Sequence, residues 1–219
     1  MTSRSAIDPG GATPPGGDLK GLLVDFGGVL TSNVFESFRA FCVKEGLPED
    51  AFVTLFRSNP EARTELRKVE TGEMEEAEFS RRLAGMLGVA DSKGLVDRLF
   101  AGMHPDQPML DAVRKAKVAG VRTGLISNSL GEGRYDRSTF PELFDGVVIS
   151  GEAGMHKPQP EIYVLGAERV GLAPEQCVFV DDLRENCEGA EAVGMTAVLH
   201  RGAEGTLPRL EELLGTELS

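Results

Sequence analysis

Short unbroken apolar runs alternate along this chain with longer stretches in which apolar positions recur every three or four residues. The runs at 21–24, 121–126, 146–150 and 177–180, with a weaker one at 196–199, read as buried strands followed by turn or helix-start residues. Periodic stretches at 109–119, 161–170, 187–193 and 207–214 read as the helices that connect and follow them. Strands alternating with helices predict an α/β class, a doubly wound parallel sheet with right-handed crossovers. The interval 32–104 breaks that alternation. It holds amphipathic patterns at 34–45, 51–57, 61–70, 74–87 and 93–100, with Thr71-Gly72 separating the third from the fourth. The pattern predicts an all-helical insert at 32–104 within an α/β core made of 19–31 and 105–219. Phe38, Phe41, Phe52, Phe56, Phe79 and Leu83 recur near helical spacing, as the packing core of that insert. Residues 1–18, rich in Gly, Pro, Ser and Thr, read as a disordered tail.

Composition narrows the function classes. The 219 residues are 41% hydrophobic and 26% charged, enough for a substantial core. A net charge of −12 argues against nonspecific nucleic-acid binding, which depends on neutralising phosphates with Lys and Arg. Cys42, Cys177 and Cys187 form neither a CxxC pair nor an even set, so a reduced, cytoplasmic setting is expected. His104, His156 and His200 are scattered and give no metal cluster. No segment approaches the ~18 apolar residues of a membrane-spanning helix, so no membrane partner is expected.

The chemistry gathers at the strand ends. Asp25 closes the first run and is followed at once by Phe26-Gly27-Gly28; a carboxylate there lies where open α/β sheets hold ligands. Glycines after it let the backbone approach a ligand or metal. Ser127-Asn128, Lys157-Pro158 and Asp181-Asp182 follow in order, the first and last at later strand ends. An acid, a hydroxyl, an ammonium and paired acids together suit a divalent metal and a phosphate. Carboxylate oxygens with a backbone carbonyl and water match Mg²⁺, a hard octahedral ion. Asp25 could then attack phosphorus, with Ser127, backbone N–H groups and Lys157 holding the phosphoryl oxygens.

This order of motifs resembles the haloacid dehalogenase superfamily, most of whose members are phosphatases. The likeness runs from about residue 22 to 199. Leu23-Val24-Asp25-Phe26-Gly27-Gly28-Val29-Leu30 is similar to its first motif and Leu125-Ile126-Ser127-Asn128 to its second. Lys157 in Gly154-Met155-His156-Lys157-Pro158 is similar to its third, and Val180-Asp181-Asp182-Leu183-Arg184-Glu185-Asn186 to its fourth. The resemblance implies a Rossmann-like core with the helical insert as a small cap. It implies catalysis by Asp25 as nucleophile with Ser127 and Lys157, and substrate binding by Phe26, Gly27, Ser127, Asn128 and Lys157. It further implies Mg²⁺ at Asp25, the Gly27 carbonyl and Asp182, with Asp181 beside the metal or acting through water, and Asn186 orienting the loop. The implied partner is a small phosphorylated metabolite, a sugar phosphate among the possibilities. Oligomeric state is not legible.

One departure leaves three readings open. Family phosphatases carry a second Asp two residues after the nucleophile, as general acid and base, and here that residue is Gly27. The chain is then a phosphatase with another proton donor or a leaving group of low pKa. Alternatively it is a 2-haloacid dehalogenase with Arg39 or Arg57 holding an anion. Adjacent Asp181 and Asp182 oppose that, since acids facing an acid repel without a cation. The third reading is a phosphate-binding module without turnover. Arg57, Arg63 and Arg67 could meet a second anionic group, although Glu61, Glu65 and Glu70 nearby make helix-surface ion pairs the simpler expectation.

Overall fold

The computed structural model describes residues 19–131 and 134–219, so the expected tail at 1–18 lies outside the described residues. Five strands form one parallel sheet: β1 (Gly21–Val24), β2 (Arg122–Ser127), β3 (Gly146–Ile149), β4 (Cys177–Asp181) and β5 (Thr196–Leu199). Their order is β3-β2-β1-β4-β5. This is the doubly wound α/β architecture that the alternation predicts. Strands buried on both faces need continuous apolar runs. Leu22-Leu23-Val24 and Val178-Phe179-Val180 supply them, each residue at 0–1% exposure.

Helices α6 (Gln107–Val118), α7 (Phe140–Leu143), α9 (Pro160–Arg169), α10 (Arg184–Ala192) and α11 (Ala203–Leu214) flank the sheet. On one face Leu22 and Val24 pack with Met109 and Val113 of α6 and Leu210 of α11. On the other, Leu23 and Phe179 pack with Ile162 and Tyr163 of α9 and Ala190 of α10. Each large aliphatic side chain so buried contributes about 1.5–3 kcal/mol relative to exposure. Gly166 lets α9 lie close to the strands, for a Cβ there would collide with Ile126.

The insert comprises α1 (Val34–Lys44), α2 (Ala51–Ser58), α3 (Pro60–Glu70), α4 (Glu76–Leu87) and α5 (Leu95–Phe100). Asn33 caps α1 by accepting from the Phe35 N–H, and Asn59 caps α3 ahead of Pro60 at its first turn. Phe38, Phe41, Phe79, Leu83, Leu95 and Leu99 form a core separate from those of the sheet. The two connections between insert and sheet run side by side. The Ser32 N–H donates to the His104 carbonyl at 2.8 Å, and the Asp106 N–H to the Leu30 carbonyl at 2.9 Å.

Several boundaries differ from the sequence reading, each by a hydrogen-bonding choice. Ser127 and Asp181 are the last residues of β2 and β4 rather than residues beyond them, because they still pair with Ile149 and Leu199. Ser150 leaves the third strand and opens a four-residue helix, α8 (Ser150–Ala153), closed by Gly154 in the left-handed region. Among the described residues, no helix is long and apolar enough to cross a membrane.

Candidate active site

Because β1 lies between β2 and β4, the three strand ends bring Asp25, Ser127 and Asp181 side by side. Lys157 reaches them from the loop before α9. Its Nζ lies 2.7 Å from Asp25 Oδ1 and 2.7 Å from Asp181 Oδ2, with the side chain only 1% exposed. Burial alone would push the ammonium down, but the Asp181 and Asp25 charges outweigh it and hold Lys157 well above the ordinary lysine value.

Asn128 fixes that lysine by its backbone. Its Oδ1 accepts from the Lys157 N–H at 2.8 Å, and its Nδ2 donates to the Lys157 carbonyl at 3.1 Å. Both ends of the amide are thus occupied, and the side chain acts on Lys157. Asp181 is occupied in the same sense. Besides Lys157 it accepts from the Leu183 N–H at 2.9 Å and from Asn186 Nδ2 at 3.0 and 3.1 Å. Asn186 is held in turn by Tyr163, whose hydroxyl donates to its carbonyl at 2.8 Å. Asp181 and Asn186 therefore form a buried scaffold behind Lys157.

Asp182 differs from its neighbour. Its carboxylate receives no hydrogen bond or ion pair from another described residue, and burial, with the Asp181 charge adding, pushes it up to about 6. It packs against Gly28, where a Cβ would stand 2.6 Å from Asp182 Oδ2; Gly28 also has φ +78°, a backbone state that glycine adopts freely. Asp25 is likewise pushed up by burial, with Asp181 and Asp182 adding and Lys157 opposing. One oxygen from each of Asp25, Asp181 and Asp182 falls within 4.8 Å of the others. The Gly27 carbonyl accepts no hydrogen bond among the described residues. Three acids against one ammonium leave the pocket short of positive charge, and its free acceptors are all oxygens. Asp25, Asp182 and the Gly27 carbonyl are therefore a donor set that fits a hard divalent cation such as Mg²⁺.

A cavity of about 480 Å³ opens over these groups, within the size range of small-molecule sites. Its floor includes Asp25, Phe26, Gly27, Ser127, Asn128, Lys157 and Asp182. Ser127 accepts at Oγ from the Tyr135 hydroxyl, 3.0 Å away, and Tyr135 stacks edge-on against Phe26. The insert supplies an apolar wall, with Val34, Phe35 and Phe38 from α1 and Phe100 from α5. Arg39, Arg57, Arg63 and Arg67 are not among the lining residues; Arg63 instead donates to the carbonyls of Phe56 and Arg57. The guanidinium at the cavity is Arg134, which lies over the Phe100 ring and pairs with Glu76 at 2.9 Å and Asp97 at 3.2 Å.

Tyr135, Arg134 and Glu70 are among the lining residues that escape a reading of the sequence. Tyr135 and Arg134 follow the second strand with no motif of their own. Glu70 sits in a run of acids that reads as helix surface. Glu65 does make such pairs, with Lys68 and Arg82. Glu70 makes no ion pair or side-chain hydrogen bond among the described residues, and it lines the cavity instead. Burial pushes its carboxyl up to about 8, against the opposing charges of Lys157 and Arg67.

A family model described as haloacid dehalogenase-like hydrolase matches residues 19–194. The bifunctional epoxide hydrolase 2 of Rattus norvegicus is 29% identical over 130 residues, 56% of this chain and 24% of that protein. This chain thus spans about a quarter of the length of that relative. The sesquiterpene phosphatase astK of Aspergillus oryzae is 29% identical over 155 residues, 67% of this chain and 77% of its own. Among solved structures, the haloacid dehalogenase family enzyme bt-2542 of Bacteroides thetaiotaomicron superposes with a TM-score of 0.64 at 24% identity. The superposition covers 89% of this chain and 99% of that one. That enzyme has also been solved in complex with magnesium and inorganic phosphate.

Proposed function

The chain belongs to the haloacid dehalogenase-like hydrolases, and on that premise we propose that it is a Mg²⁺-dependent phosphatase. A small phosphomonoester would lose its phosphoryl group to Asp25 and then to water. The observation that carries this reading is the division of labour among the acids. Asp181 is consumed in holding Lys157, while Asp182 and one oxygen of Asp25 stay open beside it. A dehalogenase would have no use for an open acid facing its nucleophile.

Asp25, Asp182 and the Gly27 carbonyl would hold the ion, which when bound supplies positive charge against the phosphoryl oxygens. Lys157 offsets further charge on those oxygens while keeping Asp25 in line. Ser127 Oγ, oriented by Tyr135, would donate to one of them. Asn128 and Asp181 keep Lys157 in place and need not touch substrate. The insert excludes water from above.

The apolar wall bears on the substrate. Val34, Phe35, Phe38 and Phe100 offer no hydrogen-bonding group to a polyol, and Arg134 is already paired with Glu76 and Asp97. This supports a phosphomonoester with a largely apolar alcohol over a sugar phosphate. A reduced cytoplasmic setting suits the three free, buried thiols Cys42, Cys177 and Cys187.

The test is phosphate release by purified protein from p-nitrophenyl phosphate and from alkyl, prenyl and sugar phosphates, with Mg²⁺ or EDTA. Release should require Mg²⁺, disappear in Asp25→Asn and be fastest on the apolar esters. No release from any ester in any condition would overturn the phosphatase reading; preference for sugar phosphates would overturn the substrate class alone.

A further inference from the structure

Gly27 stands two residues after Asp25, where an acid would otherwise be placed to handle protons. The lining acids are Asp25, Asp182, Asp97 and Glu70. Asp25 is the attacking group, Asp182 faces the metal position, and Asp97 is paired with Arg134. Glu70 remains. We propose that Glu70 is the general acid and base of the reaction, supplied to the core by the helical insert; this inference rests on the phosphatase reading above.

Its place is registered to the core by Ser150, which is fully buried. Ser150 Oγ donates to the Glu70 carbonyl at 2.6 Å and accepts from the Ser129 N–H at 2.9 Å, two residues beyond Ser127. Glycines let the backbones meet there: a Cβ on Gly72 would stand 2.7 Å from the Gly151 carbonyl oxygen. The end of α3 is thus fastened to the strand ends that carry the chemistry. The charged groups around Glu70 are Lys157 from the loop before α9, Arg67 from its own helix, Glu185 from α10 and Asp25 from the end of β1. Burial, joined by the Glu185 and Asp25 charges and opposed by Lys157 and Arg67, pushes the carboxyl up to about 8, the protonated state required of an acid at neutral pH.

In the first half-reaction an Asp25 oxygen bonds to phosphorus and the P–O bond to the alcohol breaks. The departing oxygen keeps the electron pair and takes the proton of Glu70, so a neutral alcohol leaves. In the second, the Glu70 carboxylate takes a proton from a water whose oxygen bonds to phosphorus. The P–O bond to Asp25 then breaks, inorganic phosphate leaves, and both groups return to their starting states.

The experiment compares wild type, Glu70→Gln and Glu70→Asp on n-hexyl phosphate and p-nitrophenyl phosphate with saturating Mg²⁺. The alkoxide needs its proton and p-nitrophenolate does not. For Glu70→Gln, kcat/KM on hexyl phosphate should fall ~10²–10⁴-fold. With p-nitrophenyl phosphate the same variant should release a burst of nitrophenolate equal to the enzyme, then turn over slowly as phospho-Asp25 accumulates. The alkaline fall of kcat/KM on hexyl phosphate, expected in wild type and Glu70→Asp above about pH 8, should vanish in Glu70→Gln. Equal losses on both esters without a burst, or no loss on either, would overturn the role of Glu70. Wild type that is active while Glu70→Gln matches it leaves the phosphatase reading standing; inactive wild type removes that reading itself. If Glu70→Gln fails to fold, Glu70→Asp decides: a retained alkaline limb at reduced rate supports the role, and a profile without that limb overturns it.

Discussion

Asn128 holds Lys157 through two neutral hydrogen bonds, each with a net worth of about 1 kcal/mol. Removing them acts less on stability than on where the ammonium sits. A displacement of about 1 Å at a reacting group can cost 10²-fold in rate. Asn128→Ala should therefore lower kcat by roughly 10–100-fold while the melting temperature falls by only a few degrees. Steady-state kinetics beside a thermal melt checks this; an unchanged kcat would mean that the Lys157 loop holds its shape without the amide. Gly28 makes a different demand. Alanine there meets Asp182 Oδ2 at 2.6 Å in a backbone state with φ +78°. Gly28→Ala should push Asp182 off its position and raise the Mg²⁺ concentration for half-maximal activity at least about tenfold, with about 1 kcal/mol or more of lost stability. A Mg²⁺ titration of activity reads the first effect and a melt the second.

The elements were legible where each residue's environment is decided locally. Leu22-Leu23-Val24 and Val178-Phe179-Val180 are buried from both sides, so their apolar runs could be read as strands without knowing their neighbours. The periodic faces of α1, α3 and α6 were legible for the same reason, while their caps Asn33, Asn59 and Asp106 emerge only in the structure. The helix α8 was not, because Ser150-Gly151-Glu152-Ala153 has no periodicity and is held by Ser129 and Glu70 from distant segments. Glu70 was illegible too: only the packing of α3 on α8 separates it from the solvated acids around it. In the same way Asp181-Asp182 announced a site, but which acid is committed depends on Lys157 and Asn186 arriving from elsewhere. The end of the sheet away from the site offers a test of element-level electrostatics. Asp145, before β3, accepts from the Thr123 N–H at 2.9 Å and lies 3.3 Å from Lys117 Nζ. Burial works against its charge, but the Thr123 N–H, Lys117 and Arg122 together hold the carboxyl below its ordinary value. A carboxyl with a lowered folded pKa stabilises fully above its unfolded value, and the effect is lost as pH falls through the lowered one. Asp145→Asn should thus melt a few degrees lower at pH 7, a gap that closes as the pH falls below about 4, with kcat unchanged. A gap that persists in acid would mean that shape rather than charge is being measured.

On the scale of the whole molecule, the sheet gathers the reacting groups and the insert closes over them, while a net charge of −12 surrounds both. That field has opposite consequences for the two species that the proposed reaction must collect. It attracts Mg²⁺ and repels a phosphomonoester anion, whose contacts with Lys157 begin only inside the cavity. Salt screens both effects, the Debye length shrinking from about 30 Å at 0.01 M to about 10 Å at 0.1 M. The Mg²⁺ concentration for half-maximal activity should consequently rise with NaCl. At saturating Mg²⁺, kcat/KM for the ester should instead rise severalfold over that interval, with kcat flat, because only encounter is affected. Initial rates across a NaCl series, with metal and ester varied separately, resolve the two trends. If kcat/KM falls with salt, the cavity steers the anion by its own charges, and Arg134, paired but lining that cavity, becomes the group whose replacement should abolish that slope.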